Sequence, residues 1–181
     1  MDQAQLLAQT LPVFRDHGYE GATLNKLASA TGLGKASLYH HFPGGKAEIA
    51  ATLLRQAVAR LEKAAFSRLS KRGSPGKRLH DFVDGFAAYT DNGASPCLIA
   101  AFSQGSVWEE HGASIEAQFR AWSALLAGTL EEAGYKPKRA LREANTLIAA
   151  LYGDMLLTKL HGDPKHFRQG IKRIKKSLPA P

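Results

Sequence analysis

The run GLGKASLYHHF, residues 32–42, gathers two glycines, a lysine, a serine, a tyrosine and two histidines. Three chemistries use such a mixture: a glycine loop that cradles phosphate, a histidine metal site, and the outward face of a helix that reads DNA. The first needs G-x-x-x-x-G-K-[ST] or G-x-G-x-x-G behind a strand, and neither pattern occurs. Gly44-Gly45-Lys46 ends correctly, but His40 stands where the leading glycine belongs, Ala47 follows, and no strand signal precedes it. The second fails on geometry. Consecutive helical residues point about 100° apart, so His40 and His41 cannot share a metal as a pair four residues apart can. The single cysteine, Cys97, excludes an internal disulfide and every thiolate zinc site that needs two or more. No metal or cofactor is expected.

The DNA-reading arrangement accounts for more residues at once. Leu24, Leu27 and Ala28 form an apolar stripe, Gly32 permits a left-handed turn, and Leu33, Leu38 and Phe42 carry the stripe into a second short helix. Two helices on one small core leave Lys35, Ala36, Ser37, Tyr39 and His40 outside, near the N-terminal end of the second helix. That end of a helix-turn-helix enters a major groove. Lysine reaches guanine acceptors, Ala36 and the tyrosine ring can touch a thymine methyl, and Ser37 and the histidines can donate to phosphate oxygens. The competing assignment has Tyr39 and one histidine simply covering a three-helix core.

The rest of the chain must position these residues. Its 181 residues suffice for one mid-sized domain, or a small one joined to a larger one, and 44% hydrophobic residues can build a core. Apolar positions such as Ile49, Leu53, Ala57, Leu61, Ala65 and Leu69 recur at helical spacing, and no stretch alternates as a strand does. The expectation is an all-α protein of about nine helices, near residues 3–17, 24–31, 35–41, 46–71, 78–91, 96–104, 114–133, 138–160 and 164–177. Thr23 and Ser114 read as N-caps, Ser95-Pro96 and Asp163-Pro164 as a cap before proline, KRGSPGK (71–77) as a linker, and Pro12 as a kink in the first helix. No apolar run approaches the roughly 20 residues that span a bilayer, and the start has no signal-peptide pattern. A cytoplasmic protein without a membrane partner is expected.

Charge is uneven. Residues 1–80 hold 12 Lys+Arg against 5 Asp+Glu, residues 81–164 hold 6 against 11, and the tail from Lys165 holds six basic residues and no acid. A basic head fits a polyanion, although charge runs also merely solvate helices.

The segment VFRDHGYEGATLNKLASATGLGKASLYHHFPGGKAEI, residues 13–49, resembles the TetR family of bacterial transcriptional repressors. The order of helix, Gly-Tyr, Thr cap, helix, Gly turn, L-Y-x-H-F and Lys matches the family's DNA-binding region. The F-P-G-G-K turn is similar to that of its multidrug and antibiotic-responsive members, and S-P-C-L at 95–98 is similar to a segment of their second domain. The resemblance implies a helix-turn-helix domain over 1–48, and a ligand-binding and dimerisation domain over 49–181. It implies base reading by Lys35, Ala36 and Tyr39, and phosphate contacts from Thr23, Ser37, His40, His41 and Lys46.

It further implies a homodimer whose last two long helices pair with their twins, and Leu147, Ile148, Leu151, Tyr152, Met155, Leu156, Phe167, Ile171 and Ile174 offer the apolar faces for it. Those faces could instead bury within one subunit. A pocket for an unknown small-molecule inducer would lie among Phe82, Phe86, Tyr89, Cys97, Phe102, Trp108, Phe119 and Trp122, unless these residues fill a core. Cys97, in the first turn of an expected helix, is either a reactive thiol or packing. The expected function is a repressor of a partly palindromic double-stranded DNA operator, released by ligand and without catalysis. The alternative is a helical enzyme or carrier centred on Glu109, Glu110 and His111, which sequence reasoning places in a loop.

Overall fold

Asp2 starts the first helix by accepting a hydrogen bond from the Gln5 amide at 2.7 Å, while the Gln5 side chain accepts one from the Asp2 amide at 3.1 Å. This reciprocal cap satisfies two donors that a helix start leaves unpaired. The computed structural model describes residues 2–103 and 105–181, and among them it contains nine α-helices. These are α1 (Gln3–Gly21), α2 (Leu24–Thr31), α3 (Lys35–His41), α4 (Gly45–Ala64), α5 (Pro75–Tyr89), α6 (Leu98–Ala101), α7 (Ser106–Glu132), α8 (Pro137–His161) and α9 (Lys165–Ser177). The described residues include no strand, and no helix among them is long and apolar enough to cross a membrane. Contacts divide the chain into two units that do not follow a single cut after residue 48. The first runs up to Ala59 and takes in Pro96–Ile115; the second comprises Arg60–Ser95 and Glu116–Pro181.

In the first unit, Leu6, Leu7, Thr10 and Phe14 make the buried stripe of α1, and α2 adds Leu27 and Thr31. The Thr31 hydroxyl donates to the Leu27 carbonyl at 3.0 Å, and Gly32, at φ 67°, ends the helix. Leu38, Phe42, Ile49 and Leu53 close the same core. Pro12, where a kink is expected, does not interrupt α1. The dihedrals stay helical through it, because Pro12 and Ala8 are both exposed and water can take the carbonyl that proline leaves unpaired. The break comes at Gly18, with φ 64° and ψ −175°, a conformation that suits glycine.

Past that break the chain makes one more turn and aims Tyr19 and Glu20 at different neighbours. The Glu20 carboxylate accepts from the Ser106 amide at 3.1 Å and from the Ser106 hydroxyl. Helix α7 therefore receives its cap from α1 and starts at Ser106. The cap expected at Ser114 is corrected: Ser114 lies inside the helix, and Glu109, Glu110 and His111 are helical rather than in a loop.

Other expected boundaries also move for tertiary reasons. The helix expected over 46–71 stops at Ala64 and continues as a 3-10 turn, Phe66–Arg68. Ala65 and Leu69 are nevertheless buried, so apolar spacing persists across the turn and conceals it. Here α5 comes close: a Cβ on Gly85 would lie 2.0 Å from the Ala64 carbonyl oxygen, and Arg78 donates to the Leu69 carbonyl at 2.7 Å. The start of α5 is earlier than expected, since the Ser74 hydroxyl accepts from the Lys77 amide at 3.2 Å and Pro75 opens the helix. The helix expected over 96–104 is a four-residue turn with Cys97 as its N-cap; its expected end, Gln104, lies outside the described residues. In the second unit α9 folds back on α8. Gly170 leaves room for the Asp154 carboxylate, which Arg173 grips at 2.9 and 3.1 Å, and Lys175 reaches Asp84 at 2.8 Å.

Two predictions follow from this packing. Gly85→Ala should lower the unfolding free energy by roughly 1–3 kcal/mol, because its methyl meets backbone that cannot yield; the urea midpoint measures it, and an unchanged midpoint would refute the close approach. The Ser106 hydroxyl and then its amide, with the Lys46 charge adding, hold the Glu20 carboxyl below its usual pKa. Its contribution to stability is therefore present above the ordinary glutamate value and is lost as pH falls through the lower folded one. Glu20→Gln should flatten that part of the profile of melting temperature against pH in the acid range.

Candidate nucleic-acid interface

Helix α3 is short, and one stripe of it is buried. Leu38 and the following Phe42 are each 2% exposed, while Lys35, Ala36, Ser37, Tyr39 and His40 all stand open to solvent. Gly34 occupies the N-cap and supplies no side-chain hydrogen bond. The other end is pinned from α1, where the Gln3 side-chain Nε2 donates to the His41 carbonyl at 2.7 Å. Thr23 caps α2 by accepting from the Lys26 amide at 3.3 Å and remains exposed. His41 is half-buried, and its ring meets His40 edge-on at 5.7 Å. The described residues contain no group of three or more His, Cys, Asp or Glu able to hold a metal.

The turn after α3 sets the attitude of Tyr39. Gly45 has φ 60°, and a Cβ there would fall 2.8 Å from the Tyr39 ring. The ring rests on bare backbone and stays 46% exposed, so it does not serve as a cover for the three-helix core. The Gly44 amide is taken by the Glu48 carboxylate at 2.8 Å, which fixes the turn against the first turn of α4. Lys46 is half-buried. Its ammonium donates to the Tyr19 carbonyl at 3.1 Å and lies 4.0 Å from the centre of the Tyr19 ring. Burial raises the Tyr19 phenol pKa, and the Glu110 and Glu20 carboxylates add to the shift.

The aromatic residues expected to form one pocket separate into two groups. In the second unit Phe82, Phe86, Phe119 and Trp122 line a crevice with Phe66, Tyr152, Leu61, Ile148 and Leu151. The rings leave about 220 Å³ free of atoms there, open solvent included, so little room stands between them. Phe66 stacks on Trp122 at 4.4 Å and 5°, and the Trp122 indole N–H is buried without an acceptor among the described residues. Tyr89 is not among the lining residues. Cys97, Phe102 and Trp108 belong to the first unit. Phe102 packs edge-on against Phe14 at 5.5 Å and Tyr19 at 6.2 Å, Trp108 is exposed beside Gly112, and Cys97 is buried. A thiol on a single helical turn gains little from a helix dipole, which removes the reason for expecting reactivity. Sequence reasoning missed Phe66, hidden in the 3-10 turn, and assigned Tyr152 elsewhere.

The residues expected at a subunit seam are mostly covered by their own chain. Leu147, Leu151, Met155, Phe167 and Ile174 are buried, Ile148 and Tyr152 face the crevice, and Ile171 is half-buried. Phe167 and Ile174 of α9 occupy the second unit's own core, and Leu151 joins Ile148 and Tyr152 at the crevice. Leu156 is the expected seam residue that stays open, at 57%, together with Leu141, Leu157 and Leu160.

The polar centre of the alternative reading is also accounted for. His111 lies 3.7 Å from Glu110 on α7, in the first unit.

Comparison with known proteins agrees with this architecture. The model of bacterial regulatory proteins of the tetR family matches residues 6–53, and that of the LmrA/YxaF-like transcriptional regulator C-terminal domain matches residues 75–172. The HTH-type transcriptional regulator YxaF of Bacillus subtilis is 24% identical over 155 residues, 83% of this chain and 81% of its own. A TetR-family regulator from Agrobacterium tumefaciens shares the fold with a TM-score of 0.78 at 19% identity, over 98% of this chain and 97% of its own. AibR, solved with isovaleryl coenzyme A and operator DNA, has a TM-score of 0.65 at 20% identity, over 83% and 85% of the two chains. With a helix-turn-helix head matched by one model and more than half of the chain by the other, this protein belongs to the TetR family of transcriptional regulators and carries an LmrA/YxaF-like C-terminal domain.

Proposed function

We propose that the protein is a cytoplasmic, homodimeric repressor that holds a partly palindromic double-stranded DNA operator and releases it when a small molecule enters the second unit. The observation that carries this reading is α3, which buries Leu38 and presents Lys35, Ala36, Ser37, Tyr39 and His40 together on its open side. Lys35, Ala36 and Tyr39 are suited to base edges, and Thr23, Ser37, His40 and His41 to the sugar-phosphate backbone. One such head spans a half-site, so useful affinity needs two heads held one or more helical turns apart.

The unpaired apolar surface of α8 supports assembly through Leu141, Leu156 and Leu160. Ala149 and Gly153, four residues apart on the same side, allow a second helix to approach closely. The aromatic crevice supports a ligand that binds by opening it: side chains must turn aside, because little room stands between the rings. A ligand that favours the opened state shifts the population away from whichever state fits the operator.

A gel shift on DNA upstream of the protein's own gene tests the reading, and absence of any retarded complex would sink it. Lys35→Ala or Tyr39→Ala should erode preference for the operator over random duplex by roughly 1–3 kcal/mol per lost base contact, leaving random binding little changed. Leu156→Glu combined with Leu160→Glu should yield folded monomers by analytical ultracentrifugation, whereas Leu151→Glu, a charge within the core, should unfold the second unit. A dimer that survives the double change would place the seam elsewhere.

A further inference from the structure

We infer that the crevice of the second unit takes an uncharged, largely apolar ligand bearing a carbonyl oxygen, and that this oxygen accepts a hydrogen bond from the Trp122 indole N–H. The inference rests on the ligand-release reading above and names the chemistry of that ligand. Trp122 is 3% exposed, lines the crevice, and has no hydrogen-bond partner for its Nε1 among the described residues. An indole N–H only donates, so whatever satisfies it must bring a lone pair. A buried donor left unmet costs free energy, which an acceptor on the ligand recovers. Water suits the place poorly, because it needs about two to four polar partners. Of the nine described residues that line the crevice, Trp122 and Tyr152 alone carry a polar side-chain atom.

The same lining excludes charge. None of those nine residues is acidic, basic or a histidine, and an ion without a partner in apolar surroundings is far costlier than a buried dipole. An alcohol would add a donor that needs an acceptor of its own, whereas a ketone or ester oxygen only accepts. The way in lies at Phe119 on α7 and Tyr152 on α8, which are half-buried, while Phe66, Phe82 and Phe86 are buried. The centres of these two rings are 6.1 Å apart; Phe119 meets Trp122 edge-on at 5.3 Å, and Tyr152 meets Phe86 edge-on at 5.4 Å. Turning the two aside uncovers Trp122 while Phe66, stacked on its other neighbour's side at 4.4 Å, stays in place.

The test uses the full-length protein without DNA and four matched probes: benzophenone, diphenylmethane, benzhydrol and diphenylacetate. All carry two phenyl rings, and they differ in bearing a carbonyl, a methylene, a hydroxyl or a carboxylate. By isothermal titration calorimetry benzophenone should bind roughly three- to tenfold more tightly than diphenylmethane, the scale of one hydrogen bond. Benzhydrol should bind more weakly than the ketone, and diphenylacetate at least about tenfold more weakly. In Trp122→Phe, which keeps an aromatic ring and removes the donor, the advantage of ketone over hydrocarbon should vanish. In the parent the Trp122 Nε1–H resonance, told apart from that of exposed Trp108 by Trp108→Phe, should move further downfield with benzophenone than with diphenylmethane. Four results would each overturn the ligand class: equal affinity for ketone and hydrocarbon, a carboxylate that binds as well as the ketone, an advantage that survives Trp122→Phe, or no binding of either benzophenone or the smaller acetophenone. Should Trp122→Phe fail to fold by circular dichroism, the indole resonance decides in its place. Release is judged separately: benzophenone that binds as expected yet leaves the operator complex intact in a gel shift upholds the ligand class and overturns the ligand-release reading.

Discussion

The end of α1 governs the first unit. A glycine at position 18 takes a left-handed φ of 64° and redirects the chain within a helix that would otherwise run straight on. Three separate attachments depend on that redirection. The Tyr19 carbonyl and ring receive Lys46, the same ring meets Phe102, and Glu20 caps α7. Each attachment is modest by itself: a charge-assisted hydrogen bond, an aromatic edge contact, a cap. They reach α4, the residue that ends α6, and α7, so one turn of backbone fastens the segment Pro96–Ile115 to the same body as α1–α3.

The reading face depends on that fastening because α3 is too short to position itself. Seven residues form barely two turns, and an isolated helix of that length does not persist in water. What holds it is external: Leu38 and Phe42 in the core, the Gln3 side chain on the His41 carbonyl, and the bare backbone of Gly45 beneath Tyr39. A side chain at position 45 would remove the seat of the ring and strain the turn together. The F-P-G-G-K stretch is thus a seat for Tyr39 as well as a connection between helices.

The second unit solves a different problem, that of holding α9 against α8 while leaving an aromatic interior closed. Polar grips do the first. Asp154 is nearly buried and takes Arg173 with both oxygens, Gly170 gives it the space, and Lys175 ties α9 to Asp84 on α5. Losing the Arg173 guanidinium would leave a largely buried carboxylate without its partner, which is costlier than the loss of an exposed pair. The interior is apolar and stacked, and its buried Trp122 N–H lacks an acceptor among the described residues. An unmet buried donor costs free energy until a partner is supplied.

How much of this was legible in the sequence follows from the range over which each signal acts. The DNA-reading helices were legible residue for residue: Thr23 as a cap, α2 over 24–31, Gly32 as a left-handed stop, α3 over 35–41 with Leu38 inward. Caps, glycine turns and three-to-four spacing operate within one or two helical turns, and a short helix-turn-helix contains all of them. The sequence by itself also determined that the fold is helical and that one surface of the head is basic and polar. Only the tertiary structure decided where α7 begins, since its cap is Glu20 and no local residue points to it. Only it decided that α4 stops at Ala64, because apolar spacing runs on unchanged through the 3-10 turn under α5. Aromatic residues close in sequence, such as Phe102 and Trp108, went to a different unit from Phe119 and Trp122, a division set by which segments pack together. The apolar residues of α8 extend around much of the helix, and a residue's type says that it avoids water, not what covers it. Leu151 lies in the core because it faces the crevice beside Leu61, Phe82 and Trp122, while Leu156, on another side of the same helix, stays open.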